Sequence, residues 1–289
     1  MTTTPAPGGG AEPPIPLLRA VSQWFAGAVL VVVLTALFLS INAVQLTSRG
    51  AGERLLGWHV AVTTNIDAIL PNLEEGLREA AQEGEETVIV PDFPIVVELE
   101  RQEAQSLEGA ALRERILRES AHRLYEDGTS AWAETDAEGT QDIELVSTAG
   151  AIDAGMGLIS DETHTLSIIA AVVLGVLSAA LTVALMASVR GLGRFVALGV
   201  VTVVAALPSL AGAVALRFVF RSAQEEADPW VYGMLELGVE AMWVPIRNYL
   251  ALTLLGAATL LLTLALIWAS GRWEARRARR VVDGPSALA

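Results

Sequence analysis

The side chains able to do chemistry in this 289-residue chain are few in kind: three histidines, 33 carboxylates and 19 arginines, with no cysteine and no lysine. Without thiols, disulfides, thiolate metal sites and cysteine nucleophiles are excluded. His59, His122 and His164 stand far apart in the sequence, and no zinc-type His/Glu pair, serine elbow, phosphate-binding glycine loop or dinucleotide fingerprint occurs. His164 follows Asp161 and Glu162 at the start of an apolar run; polar residues at the edge of a membrane span are ordinary, so no proton relay is assigned to them. Glu134, Asp136, Glu138, Gly139 and Asp142 follow the spacing of a calcium loop. Leu145 stands where that loop needs a bidentate Glu and Gln141 where it needs an apolar residue, so a polar loop is expected instead. No catalytic, cofactor or metal residue is assigned, and a non-enzymatic protein is expected. A net charge of −14 with no basic stripe excludes nucleic acid as a partner.

What positions these residues is a membrane. No charge falls between Ala20 and Ser48, and three more long uncharged stretches follow; each reaches the ~20 residues that cross a bilayer as a helix. The expected fold class is a polytopic α-helical membrane protein with four transmembrane helices at 24–46, 164–189, 195–218 and 249–270. Residues 1–23, rich in Pro and Gly, read as a disordered cytoplasmic N-terminus. Residues 190–194 form a cytoplasmic turn, 219–248 an outer loop with an interfacial helix, and 271–289 a basic cytoplasmic tail. The first span also has the outline of a cleaved signal peptide, but its apolar run is long for one.

Arginine sets the orientation. Arg19, Arg190, Arg194, Arg272, Arg276, Arg277, Arg279 and Arg280 fall on one side of the spans, and only Arg217, Arg221 and Arg247 on the short loop opposite. The bias places both termini in the cytoplasm of a cell-membrane protein, and residues 47–163 outside.

That insert holds 25 acidic against 8 basic side chains, a local net of −17. It is long enough to bury a core of its own. Thr87–Val90 and Ile95–Leu99 flank Pro91-Asp92-Phe93-Pro94 and read as short strands. Leu107–Glu126 reads as an amphipathic helix with Ser106 as its cap and Gly128 as its end, and Asn65–Ala81 as a weaker helix broken by Pro71. The expectation is a mainly helical α+β extracytoplasmic domain between the first and second spans.

In the second outer loop, the spacing of Arg217, Arg221 and Glu225 extends the third helix, and Asp228-Pro229 starts a new one. Arg217, Arg221, Arg247, Trp230 and Trp243 are candidates for a platform on which the acidic insert docks. Ala171, Gly175 and Ala179 form a small-residue ladder on the second span, a candidate helix-packing face.

This topology is similar to that of claudin-like four-helix proteins, and it looks like that of the permeases of cell-division-type ABC transporters. The cysteine pair of the first is missing, and only Arg190-Gly191-Leu192-Gly193-Arg194 stands where the second have a substantial cytoplasmic segment. No residue role is transferred from either. The function expected is protein interaction or scaffolding in the cell envelope, with the bilayer and an envelope protein or a second copy as partners. The alternative is a permease or channel subunit whose acidic insert forms a cation-attracting vestibule.

Overall fold

The computed structural model describes residues 16–82, 86–132 and 154–282. The N-terminal residues 1–15 and the calcium-like segment Glu134 to Asp142 lie outside the described residues.

Four helices are long and apolar enough to cross a membrane, as in a multi-pass helical membrane protein. They are α1 (Pro16–Thr47), α6 (Asp161–Ser188), α7 (Gly193–Ala223) and α9 (Trp243–Val282). Helices satisfy their own backbone polar groups, which is what lipid requires. The largest interfaces pair α1 with α6 and α7 with α9, while α1 also packs on α7. Leu30, Leu185 and Val201 are buried where α1, α6 and α7 meet. The α7–α9 crossing is close: a Cβ on Gly199 would lie 2.7 Å from Leu260 Cγ, so only glycine fits. Elsewhere the spans expose apolar side chains such as Val172, Val176, Leu261 and Leu262, as lipid-facing surfaces do.

The spans differ from expectation mainly at their ends. At 1.5 Å per residue α9 is about 60 Å long, twice the ~30 Å of a hydrocarbon core. It begins before Tyr249 and continues as helix to Val282, well into the stretch expected as a basic tail. Helix is favoured there because the Arg- and Ala-rich continuation has high helical propensity and contains no Pro or Gly beyond Gly271 before Val282. α7 runs through Pro208 without interruption.

The insert comprises α2 (Arg49–Thr64), α3 (Ile66–Ala80), β1 (Thr87–Ile89), β2 (Glu98–Glu100), α4 (Arg101–Ser106) and α5 (Gly109–Asp127). Asn65, at φ 48°, turns the chain between α2 and α3; Asn is among the few residues that accept this left-handed conformation. The strands pair antiparallel with Val88 opposite Leu99, both buried, and with their neighbours exposed. α5 turns Leu112, Ile116, Ala121, Leu124 and Tyr125 inward. Two local expectations change. Ser106 ends α4 and does not cap α5. Pro71 does not break α3, because it lies on the exposed face, where water serves the carbonyl left without a donor.

The core of the insert is not its own. Leu55, Leu56, Val60, Ile66, Leu77, Leu99 and Ile116 form one hydrophobic cluster with Met234, Leu235 and Leu237 of α8 (Pro229–Ala241), the helix between α7 and α9. Val62 lies 2.9 Å from where a Cβ on Gly233 would stand, so α2 and α8 touch at backbone range. An insert of this size, with its long α2 face apolar, gains more burial by adopting α8 than by closing on itself. The resulting unit is called the head below.

Candidate functional site

Two polar constellations lie where the head meets the spans. The first is a joint built on the last turn of α1. Thr47 donates its hydroxyl to Ala43 O (2.7 Å), which leaves its oxygen to accept from His164 Nδ1 at 3.1 Å. Tyr125, buried at the end of α5, donates its hydroxyl to Thr47 O at 2.8 Å, satisfying a helix-end carbonyl that has no partner within the helix. Burial, and then the Asp161 carboxylate, raise the Tyr125 hydroxyl above its ordinary pKa, so it stays a donor. Ser160 caps α6 by accepting from Thr163 N at 3.2 Å. The ends of α1 and α5 and the start of α6 thus converge on one residue, Thr47.

Beside it, Arg49, Glu53, His122 and Glu126 form a network. Arg49 donates from Nε to Glu53 Oε1 (3.0 Å) and from Nη2 to His122 Nδ1 (3.0 Å). His122 Nε2 faces Glu126 Oε1 at 3.4 Å. His122 Nδ1 also lies 3.1 Å from Glu53 Oε1, so Arg49, Glu53 and Glu126 all border the ring. The cluster therefore ties α2 to α5. Its two i,i+4 pairs, Arg49/Glu53 and His122/Glu126, were visible in the sequence; that they meet was not.

The second constellation is an open groove of about 600 Å³ between the head end of α1, the start of α2, the end of α8 and the start of α9. Arg54 and Arg247 line it with Trp58, Trp243, Gln45 and Glu240. Below it, between α1 and α9, Asn248 Nδ2 donates to Asn42 Oδ1 at 2.6 Å and to Gln45 Oε1 at 2.7 Å. Tyr249 and Asn42 are buried there, and Asn42 Nδ2 and Tyr249 Oη have no hydrogen-bond partner among the described residues.

The residues singled out from sequence fall as follows. Asp228 accepts from Trp230 N (3.0 Å) and Val231 N (2.9 Å), capping α8 with Pro229 at its first turn. Trp230 packs against the head core. Arg217 stacks on Trp243, 5.0 Å from the ring centroid. Arg247 lines the groove and Arg221 is exposed. Among the described residues no salt bridge joins Arg217, Arg221 or Arg247 to the insert; α8 meets the insert through apolar side chains. On α6, Ala171 is half-buried, Ala179 is exposed and nothing lies within 4 Å of a Cβ on Gly175, so no described element approaches the ladder closely at Gly175. The close crossing uses Gly199 instead. His59 is buried on α2, with its ring edge-on to Trp132.

The chain matches no family model, no curated protein and no solved structure. Its chemistry is therefore read from its own geometry.

Proposed function

We propose that the protein is a non-enzymatic, multi-pass protein of the cell membrane whose head lies outside the cytoplasm and presents an acidic face to a basic-surfaced envelope protein. The arginine bias, which puts both termini in the cytoplasm, supports the orientation. The observation that carries the reading is how the head's charges are divided. Its arginines on α3, α4 and α5 are consumed internally: Arg78 by Glu108, Arg113 by Asp67, Arg115 by Glu103 and Glu119, Arg118 by Glu114, and Arg123 by Glu98, while Arg101 donates to Ala81 O. Glu75 and Glu79 on α3, with Glu86, Asp92 and Glu100 around the hairpin, are exposed and outside any ion pair among the described residues. A surface with that sign attracts a basic partner and repels a second copy of itself, which favours a hetero-complex.

Mass spectrometry of the gently solubilised native complex tests this. The expected result is a stable companion protein that is lost on charge reversal at Glu75, Glu79 and Asp92. A chain that runs alone, or a companion indifferent to those reversals, would overturn it. Cation flux through liposomes holding the purified chain would instead support the reading as a permease or channel subunit with an acidic vestibule.

A further inference from the structure

Among the eight arginines of the insert, Arg54 stands apart. The other seven are tied by ion pairs or hydrogen bonds to groups of the insert, whereas Arg54 makes neither among the described residues. Among the described residues its guanidinium is thus left to meet an anion from outside the chain. It lines the groove at the head end of the spans together with Arg247, a second exposed arginine without an ion pair among the described residues, from the start of α9.

The rest of the groove has the composition of a membrane–water boundary. Trp58 and Trp243 supply amphipathic rings, and Val44 and Val244 supply apolar walls from α1 and α9. Trp243 also marks depth. It stacks with Arg217, and a second such pair, Arg272 on Trp268 at 3.7 Å, lies further along α9. The two tryptophans are roughly 37 Å apart along that helix, close to the separation of the aromatic belts at the two faces of a bilayer. The groove therefore sits at headgroup level.

We infer that this groove is a binding site for an anionic glycerophospholipid, with the phosphate between Arg54 and Arg247 and the acyl chains in the bilayer alongside α1 and α9. Guanidinium forks match phosphate oxygens in charge and geometry. Glu240, on the groove wall, accepts from the hydroxyls of a glycerol headgroup. A volume of about 600 Å³ suits a headgroup and its glycerol but not a whole lipid, in keeping with chains that remain in the bilayer.

The test uses the full-length protein in phosphatidylcholine vesicles that contain a photoreactive phosphatidylglycerol. Labelling is expected on the peptides carrying residues 44–58 and 240–247, and to be suppressed by excess plain phosphatidylglycerol but not by soluble glycerol phosphate. Replacing both groove arginines, Arg54→Gln with Arg247→Gln, should lower that labelling roughly 30-fold, while Arg221→Gln leaves it unchanged. Label spread along the exposed face of α6, equal loss with Arg221→Gln, or equal suppression by soluble glycerol phosphate would each overturn the inference. The wild-type labelling map decides the matter even where the double variant does not fold.

Discussion

The head and the span bundle are built from similar apolar residues, yet they bury them in opposite ways. In the head, Ile66, Leu77, Ile95, Val97 and Leu99 are fully buried, and charge lies outside. In the bundle, Leu30 is buried to the same degree, but Val176, Leu261 and Leu262 are each more than 60% exposed. Water drives the first arrangement through the hydrophobic effect. Lipid offers no such drive, because hydrocarbon solvates leucine as well as another helix does, so the bundle relies on close backbone approach and a few polar contacts. The same side chain therefore carries different weight in the two regions.

Four substitutions press on that contrast. Leu237→Ala, in the core shared by α8 and the insert, should cost about 2–5 kcal/mol and loosen the head on the spans; proteolysis of the purified protein should then cut between the head elements. Protection equal to wild type would mean that α8 is not part of the head core. In the bundle, Gly199→Ala forces α7 and α9 apart and should cost about 1–3 kcal/mol, whereas Gly175→Ala should be neutral. Thermal inactivation of the two variants in detergent compares them directly, and equal effects would contradict the α7–α9 crossing. Smallest is the exposed Arg113–Asp67 pair, at 2.7 Å: Arg113→Ala should cost no more than about 1 kcal/mol, and the loss should shrink as salt is added.

The four spans were legible because the sign of a span is local, a run of residues without charge. The Asp228 cap and the inward face of α5 were legible for the same reason, since both are patterns within a few turns. What could not be read were meetings between distant segments. Met234, Leu235 and Leu237 have the composition of an interfacial helix, and only contact with α2 makes them core. Ala171, Gly175 and Ala179 have the spacing of a packing face, but a small residue matters only where a helix arrives, and one arrives at Gly199. Nothing in the sequence separates Arg54 from the other arginines of the insert; its difference is that it forms no ion pair among the described residues, which is a property of the folded chain.

The amide contact between α1 and α9 has a consequence for how the protein is made. Asn248 follows Asn42 by 206 positions, about 10–40 s of synthesis at ribosomal rates. For that interval α1 must sit in the membrane with the Asn42 amide oxygen unmatched, because α9 is the last of the four described spans to emerge. A chain stopped before α9 carries that polar side chain exposed near the end of its first span, a mark by which membrane quality control can tell an unfinished product from a finished one.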